Sequence, residues 1–381
     1  MLTDYRKYYL LLCILSINLF GQENPDSLLS AVRLKLSSNP DKVIEVAEKV
    51  LDLDNINNET EIDALFSLAN AYTAKRNYKK ALQYGLQGKK IAEENHYINH
   101  QIRALNIIIL QYYQLKMYDK ALSYLDIADG LVQSYPHKDS IRGLIGNNYA
   151  LRGMIYNYQF NNELAIKFLK KSVAEYQTDP KNQYMIANQC VAMQNIGSCY
   201  LNQNKIDSAQ IIFSEAITLG KKISNNNALG YAYLGLGQAN ILTSKTTEAE
   251  YNLNNALLLS KELRDPFLER DLYKWVSYNS IAKNDWGRYQ EYLKMSRAAN
   301  NKIQKFEKDF MNDIIRVSDK RYTEKIEANS LSFFYKISII LILHILAIYY
   351  LIFMIKKKKN IIKSHQSAID DHLKKNANKS N

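Results

Sequence analysis

One position, alanine in five cases of seven, returns along this chain at a nearly fixed interval. Val43, Ala81, Ala121, Ala165, Ala209, Ala249 and Tyr289 are equivalent markers, and the differences between successive positions are 38, 40, 44, 44, 40 and 40. The stretch MQNIGSCYLNQNKIDSAQIIFSEA shows the context of one marker: Met193, Ile196, Gly197 and Tyr200 precede it, and Ala209 is followed by Phe213 and Ala216. Spacings of three and four put each group on one face of a helix. Self-similarity at a period of this size means that each unit buries its apolar face only against its neighbours, so the expected product is a stacked array. Such an array accommodates 381 residues without a single oversized core, and only 5 Pro and 13 Gly are available to interrupt helices.

The pattern resembles the tetratricopeptide repeat, in which a large residue, Leu-Gly and Tyr on one helix are followed by Ala and Phe on a second. Leu65, Leu68, Ala69 and Tyr72 lead to Ala81; Leu105, Ile108 and Tyr112 lead to Ala121, Leu125 and Ala128. Tyr149, Gly153 and Tyr156 lead to Ala165 and Leu169, while Tyr233, Leu236 and Gly237 lead to Ala249, Leu253 and Ala256. Weaker units flank these, with Ala31, Leu34, Val43, Ala47 and Val50 in front and Tyr273, Val276, Tyr289 and Leu293 behind. The reading is an all-α solenoid, a superhelix of helix pairs over residues 26–296, with about five good repeats and degenerate end repeats that act as caps. The period exceeds the family's usual value of about 34 residues. Longer helices, or longer turns at SYPHKDS, TDPKNQ and SNNNA, are expected to absorb the difference.

In this family the first helices of successive pairs line a concave groove that binds peptides or protein segments. Counting from the motif, Asn70, Asn106, Tyr113, Asn157, Tyr158, Gln194, Ser198, Asn202 and Gln238 are expected to face it. That set consists of amides, a serine and tyrosines. It lacks the lysines and arginines with which some relatives grip a C-terminal carboxylate, which argues against that ligand class. The alternative for each residue is an ordinary solvated position.

Both ends of the chain carry membrane signals. Arg6 and Lys7 precede an apolar run from Tyr8 to Phe20 that ends at Gly21, the layout of a signal peptide over residues 1–22; the alternative is an uncleaved anchor. Near the other end, residues 333–355 read as a transmembrane helix whose core runs from Ile337 to Ile355 and is followed by Lys356 to Lys359. Lysines at the edge of a span hold that side in the cytoplasm. The expected arrangement is a single-pass protein of the inner membrane, with a periplasmic array and a basic cytoplasmic tail, 356–381. Eight lysines against Asp370 and Asp371 in that tail supply half of the formal charge of +12. The basic balance therefore points to an anionic leaflet and away from nucleic acid. The tail's few apolar residues build no core, so it is expected to be disordered or to lie on the membrane. Between array and span, residues 297–332 read as an amphipathic juxtamembrane helix through Ile303, Phe306, Phe310, Ile314 and Val317, able to support a homodimer.

Residues for catalysis do not assemble. Cys190 and Cys199, if on one helix, stand about 13 Å apart on opposite faces, out of disulfide reach, and read as buried packing residues. His96 and His100 have a four-residue spacing but no HExxH context and fall at an inter-repeat turn. Between Ile337 and Ile355, His344 has no second charged residue with which to form a relay. No GxSxG and no phosphate-binding glycine loop is present, so neither an enzyme, a cofactor nor a metal is expected. An exported repeat array, a juxtamembrane helix and one span are similar to the front half of membrane-anchored sensors of Bacteroidetes. Those continue into a kinase or a helix-turn-helix domain, for which the stretch after Ile355 is too short, and His365 lacks a phosphoacceptor context. The resemblance implies a membrane-tethered scaffold that binds a protein or peptide. The alternative it leaves is a sensor acting through a separate or lost cytoplasmic output domain.

Overall fold

The computed structural model describes residues 24–33, 35, 36, 38–263 and 265–377; the signal segment lies outside them. The chain divides into two compact units, one ending at Lys308 and the other comprising Asp309–Asn381.

The first unit is built of antiparallel helix pairs. They are α1 (Pro25–Arg33) with α2 (Pro40–Leu51), α3 (Asn58–Ala74) with α4 (Tyr78–Glu94), and α5 (Ile98–Gln114) with α6 (Tyr118–Ser134). Then come α7 (Arg142–Tyr158) with α8 (Asn162–Tyr176), α9 (Gln183–Asn202) with α10 (Ile206–Lys222), and α11 (Asn226–Leu242) with α12 (Thr246–Leu263). The last pair is α13 (Pro266–Ala282) and the first turns of α14 (Trp286–Ala377). Asparagine starts many of these helices: the side chains of Asn57, Asn77, Asn161 and Asn225 accept the amide N–H of Thr60, Lys80, Leu164 and Ala228. Each satisfies one of the donors that a helix N-terminus leaves open.

The long period has a simple origin. Most helices run 17 residues and are joined by three-residue turns, so two helices and two turns reproduce the commonest marker interval. The two widest intervals place their extra residues in the SYPHKDS segment, which holds a short 3₁₀ turn at Lys138–Ile141, and around TDPKNQ ahead of the 20-residue α9. SNNNA absorbs none, because only three residues separate α10 from α11. The turn inside each pair is the same in six repeats. The amide N–H groups of Asn77, Met117, Asn161, Lys205, Lys245 and Asp285 donate back to the carbonyls of Tyr72, Tyr112, Tyr156, Tyr200, Asn240 and Ser280 at 2.8–2.9 Å. This is the Schellman closure, and it requires a left-handed residue just before the donor. Arg76, Lys116, Phe160, Asn204, Ser244 and Asn284 fill that place with φ of 57–59°, and none is glycine.

The markers sit where the helices cross. Ala81, Ala121, Ala165, Ala209 and Ala249 are all fully buried. On the facing helix Gly153 has no room for a side chain, since a Cβ there would lie 2.6 Å from Leu169 Cγ and 3.1 Å from the Ala165 carbonyl. Ala209→Leu is therefore expected to cost about 1–3 kcal/mol by overpacking. The exposed Lys245→Ala is expected to leave the melting temperature of the full chain unchanged, and equal melts for the two variants would refute the crossing.

The second unit is helical from Asp309 to Ala377, a stretch with no glycine or proline to break it. Among the described residues, only Phe333–Ser364 is long and apolar enough to cross a membrane, and its large apolar side chains, from Ile340 to Phe353, are exposed. Of the two sequence expectations for the tail, disorder or a place on the membrane surface, the structure differs from the first: its backbone stays helical through Ala377. Lysine, alanine, glutamine and leucine are good helix formers, and a helix already running into the segment removes the cost of nucleation. Of the juxtamembrane stripe, Ile303 is buried within the first unit; the side chains of Phe306, Phe310, Ile314 and Val317 lie outside the described residues.

Candidate functional site

The first helices of the early repeats, α3, α5, α7 and α9, enclose with α1 and its following turn a cavity of about 530 Å³. Its apolar lining comes from Ile107, Leu110, Leu144, Leu151, Met154 and Val191. Over this run four asparagines, Asn70 on α3, Asn106 on α5, Asn147 on α7 and Asn188 on α9. Asn147 is held in place from two sides, because its Oδ1 accepts the Tyr176 hydroxyl at 2.6 Å and the Asn188 side-chain amide at 3.1 Å. Asn106 is only 6 % exposed; its Nδ2 donates to the Leu144 carbonyl at 3.2 Å, while its Oδ1 has no hydrogen-bond partner among the described residues. A buried acceptor without a partner carries a desolvation cost of about 1–3 kcal/mol. A donor on a ligand would remove that cost.

One end of the cavity is charged. Asp63 on α3 stands between Arg103 on α5, at 2.5 Å, and Arg33 at the end of α1, at 2.8 Å. Burial pushes the Asp63 carboxyl up, but the two guanidinium groups outweigh it and hold it below the ordinary carboxylate range. Two arginines share one aspartate, so this end retains a net positive charge. Tyr184 on α9 completes it, its hydroxyl donating to the Arg33 carbonyl at 3.3 Å.

The residues expected from sequence to line the groove divide into several groups. Asn70 and Asn106 line the cavity. Tyr113 and Tyr158 gather around Tyr118, with ring centroids 5.9 and 4.3 Å from it, and burial pushes the Tyr113 phenol up to about 12. Gln194 joins repeats, its Nε2 donating to the Ala228 carbonyl at 2.7 Å, and Asn106 bonds the Leu144 carbonyl in the same manner. Asn202 is exposed and donates to Asn157 and Asn162 at 3.5 and 3.3 Å, which places Asn157 and Asn202 together beside the turns within the pairs and outside this cavity. Ser198 and Gln238 are half-buried and do not line it. Arg33, Asp63, Arg103, Asn147, Asn188 and Tyr184 were missed. The asparagines had a signal, since Asn106, Asn147 and Asn188 recur at equal intervals close to the repeat period. Arg33 and Arg103 line the cavity and supply the basic groups whose absence from the expected set argued against a C-terminal carboxylate ligand.

Cys190 and Cys199 are both on α9, buried and unpaired; burial raises their thiols to about 11 and about 12, as suits inert packing residues. His96 occupies a left-handed turn position and His100 lies in α5; among the described residues no group of three or more metal-ligating side chains is found.

A family model described as tetratricopeptide repeat matches residues 191–220, the end of α9 and most of α10. No curated protein matches the chain in sequence. Similar solved structures include Cut9–Hcn1 of an APC/C hetero-tetramer, with TM-score 0.55 and 19% identity over 75% of this chain, which spans 48% of that one. A Rap protein complexed with competence and sporulation factor has TM-score 0.52 and 15% identity, covering 83% of this chain and 86% of the other. NprR in complex with its cognate peptide NprX has TM-score 0.51 and 16% identity, covering 77% and 83%. These likenesses concern the repeat array and do not bear on the membrane-anchored sensors that the architecture resembles. The first unit is thus a helical-repeat solenoid of the tetratricopeptide type, and residues 191–220 are a tetratricopeptide repeat in sequence as well as in shape.

Proposed function

We propose that the solenoid is a binding module that takes an extended peptide, or an extended segment of a partner protein, in the cavity between α3, α5, α7 and α9. The buried, unpartnered Oδ1 of Asn106 in an asparagine-lined cavity carries this reading. An extended backbone presents one N–H and one C=O per residue, and primary amides answer both. The apolar lining offers space for side chains, and the Arg33–Arg103 end favours an acidic group on the ligand. The structures of a Rap protein with competence and sporulation factor and of NprR with its peptide support the reading, since they show peptide or factor complexes on the same fold. The span, the signal layout and the lysine cluster support a membrane-tethered setting with the groove outside the cytoplasm. In this reading the protein is a scaffold and not an enzyme.

Peptides selected from a random display library on the full chain in detergent provide the test. Asn106→Ala and Asn147→Ala are each expected to weaken a selected peptide about tenfold, the equivalent of one lost buried hydrogen bond of about 1.4 kcal/mol. Lys261→Ala, exposed on α12, is expected to have no effect. Selected peptides that bind all three variants as they bind the parent would overturn the assignment.

A further inference from the structure

The two basic side chains among the six left-handed turn residues both reach across the solenoid. Arg76, after α3, bonds Asp265 at the start of α13 at 2.5 Å, a partner 189 residues away. Its second nitrogen donates to the Tyr78 hydroxyl at 3.1 Å, and its guanidinium carbon lies 4.1 Å from the Phe267 ring centroid. Tyr231 on α11 donates to the other Asp265 oxygen at 2.8 Å. Lys116, the equivalent residue after α5, pairs with Glu307 at 3.1 Å across 191 residues. Among the described residues the remaining four turn residues make no such contact: Phe160 is 80 % exposed, and Asn204, Ser244 and Asn284 are exposed too. A third contact of the same kind is the hydroxyl of Tyr184 on the Arg33 carbonyl. Early repeats are thus joined to late ones at three places.

From this geometry we propose that Arg76 and Lys116 form a latch that closes the superhelix on itself and sets how far its groove opens. A solenoid contacts only its sequential neighbours, so its curvature is the accumulated result of small rotations at each interface, and it opens and closes as a spring. A bond between distant repeats turns the spring into a loop. Arg76 suits the task because its planar fork bonds a carboxylate at the edge while its face stacks on an aromatic ring. Asp265 suits it because it also caps α13, accepting the Phe267 amide at 3.0 Å, so pulling on the latch pulls on the start of the last repeat. Its side chain is only 10% exposed, which shields the pair from screening by salt.

The test uses the full chain in detergent, with Cys13→Ser, and spin labels on Gln83→Cys in α4 and Lys261→Cys in α12, both exposed; the buried Cys190 and Cys199 remain unlabelled in the folded chain. Arg76→Gly removes the latch while suiting the turn, so the helical signal is expected to be unchanged while the dipolar distance distribution becomes longer and broader. Lys116→Ala is expected to shift it in the same direction, and Arg76→Lys, which keeps the charge but not the fork, to fall between parent and glycine variant. Parent-like distributions in both Arg76→Gly and Lys116→Ala would overturn the proposal. The measurement needs no ligand, so its result stands apart from whether the groove takes a peptide.

Discussion

Gly235→Ala is expected to lower the melting temperature of the array by several degrees, and Phe213→Leu introduced beside it is expected to recover most of the loss. Phe213 on α10 is 3 % exposed and its ring lies between glycines of two successive first helices. A Cβ on Gly235 of α11 would stand 2.3 Å from its Cε1 and 2.4 Å from its Cζ, and a Cβ on Gly197 of α9 would stand 2.6 Å from both atoms. One ring therefore holds three helices and two repeats together. Overpacking of this kind costs about 1–3 kcal/mol, because the ring is caged from both sides and has no free rotamer to move into. Phe213→Leu alone is expected to destabilise as well, by leaving a void. The two changes together relieve each other, so a double-mutant cycle should show a coupling of about 1–2 kcal/mol. Strict additivity of the two melts would mean that the ring is not confined between the glycines.

Reporter fusions are expected to give an all-or-none result on topology. Alkaline phosphatase joined after Asn300 should be active, and joined after Lys375 it should be inactive, because the enzyme folds only outside the cytoplasm and the proposed orientation has Lys356 to Lys359 keep the tail inside. A charged residue at the centre of a span costs about 2.5–3.5 kcal/mol, and the described helix Phe333–Ser364 carries its lysine cluster after the apolar stretch and not within it. The reverse pattern of activities would sink the proposed orientation and with it the extracytoplasmic groove.

The architecture of the array was legible because the information for it is local. Whether Ala209 can lie at a helix crossing depends on its own size and on a helix begun a turn earlier, and both are written within one repeat. The same holds for Gly197 and for the apolar run at Phe333–Ser364. Turn lengths were legible only in part. SNNNA looks like a long loop, yet Asn225 caps α11 and Asn226 already belongs to it, so the polar residues there start a helix.

What the tertiary structure decided is which repeats meet. Sequence position within the motif marked Asn106 and Gln194 as equivalent groove candidates, but packing assigned Gln194 to the Ala228 carbonyl and left Asn106, at the cavity wall, with a buried acceptor that has no partner among the described residues. Asp63, Arg33 and Arg103 come from three helices and form one charged end only because α1 packs on α3 and α3 packs beside α5. Arg76 and Asp265 lie 189 residues apart, and no period connects them. The reason is that curvature builds up from small rotations at successive interfaces, each set by how particular side chains interlock. A repeat can be recognised from its own residues, whereas the path of the superhelix, and hence its cavity and its closing contacts, depends on every interface at once.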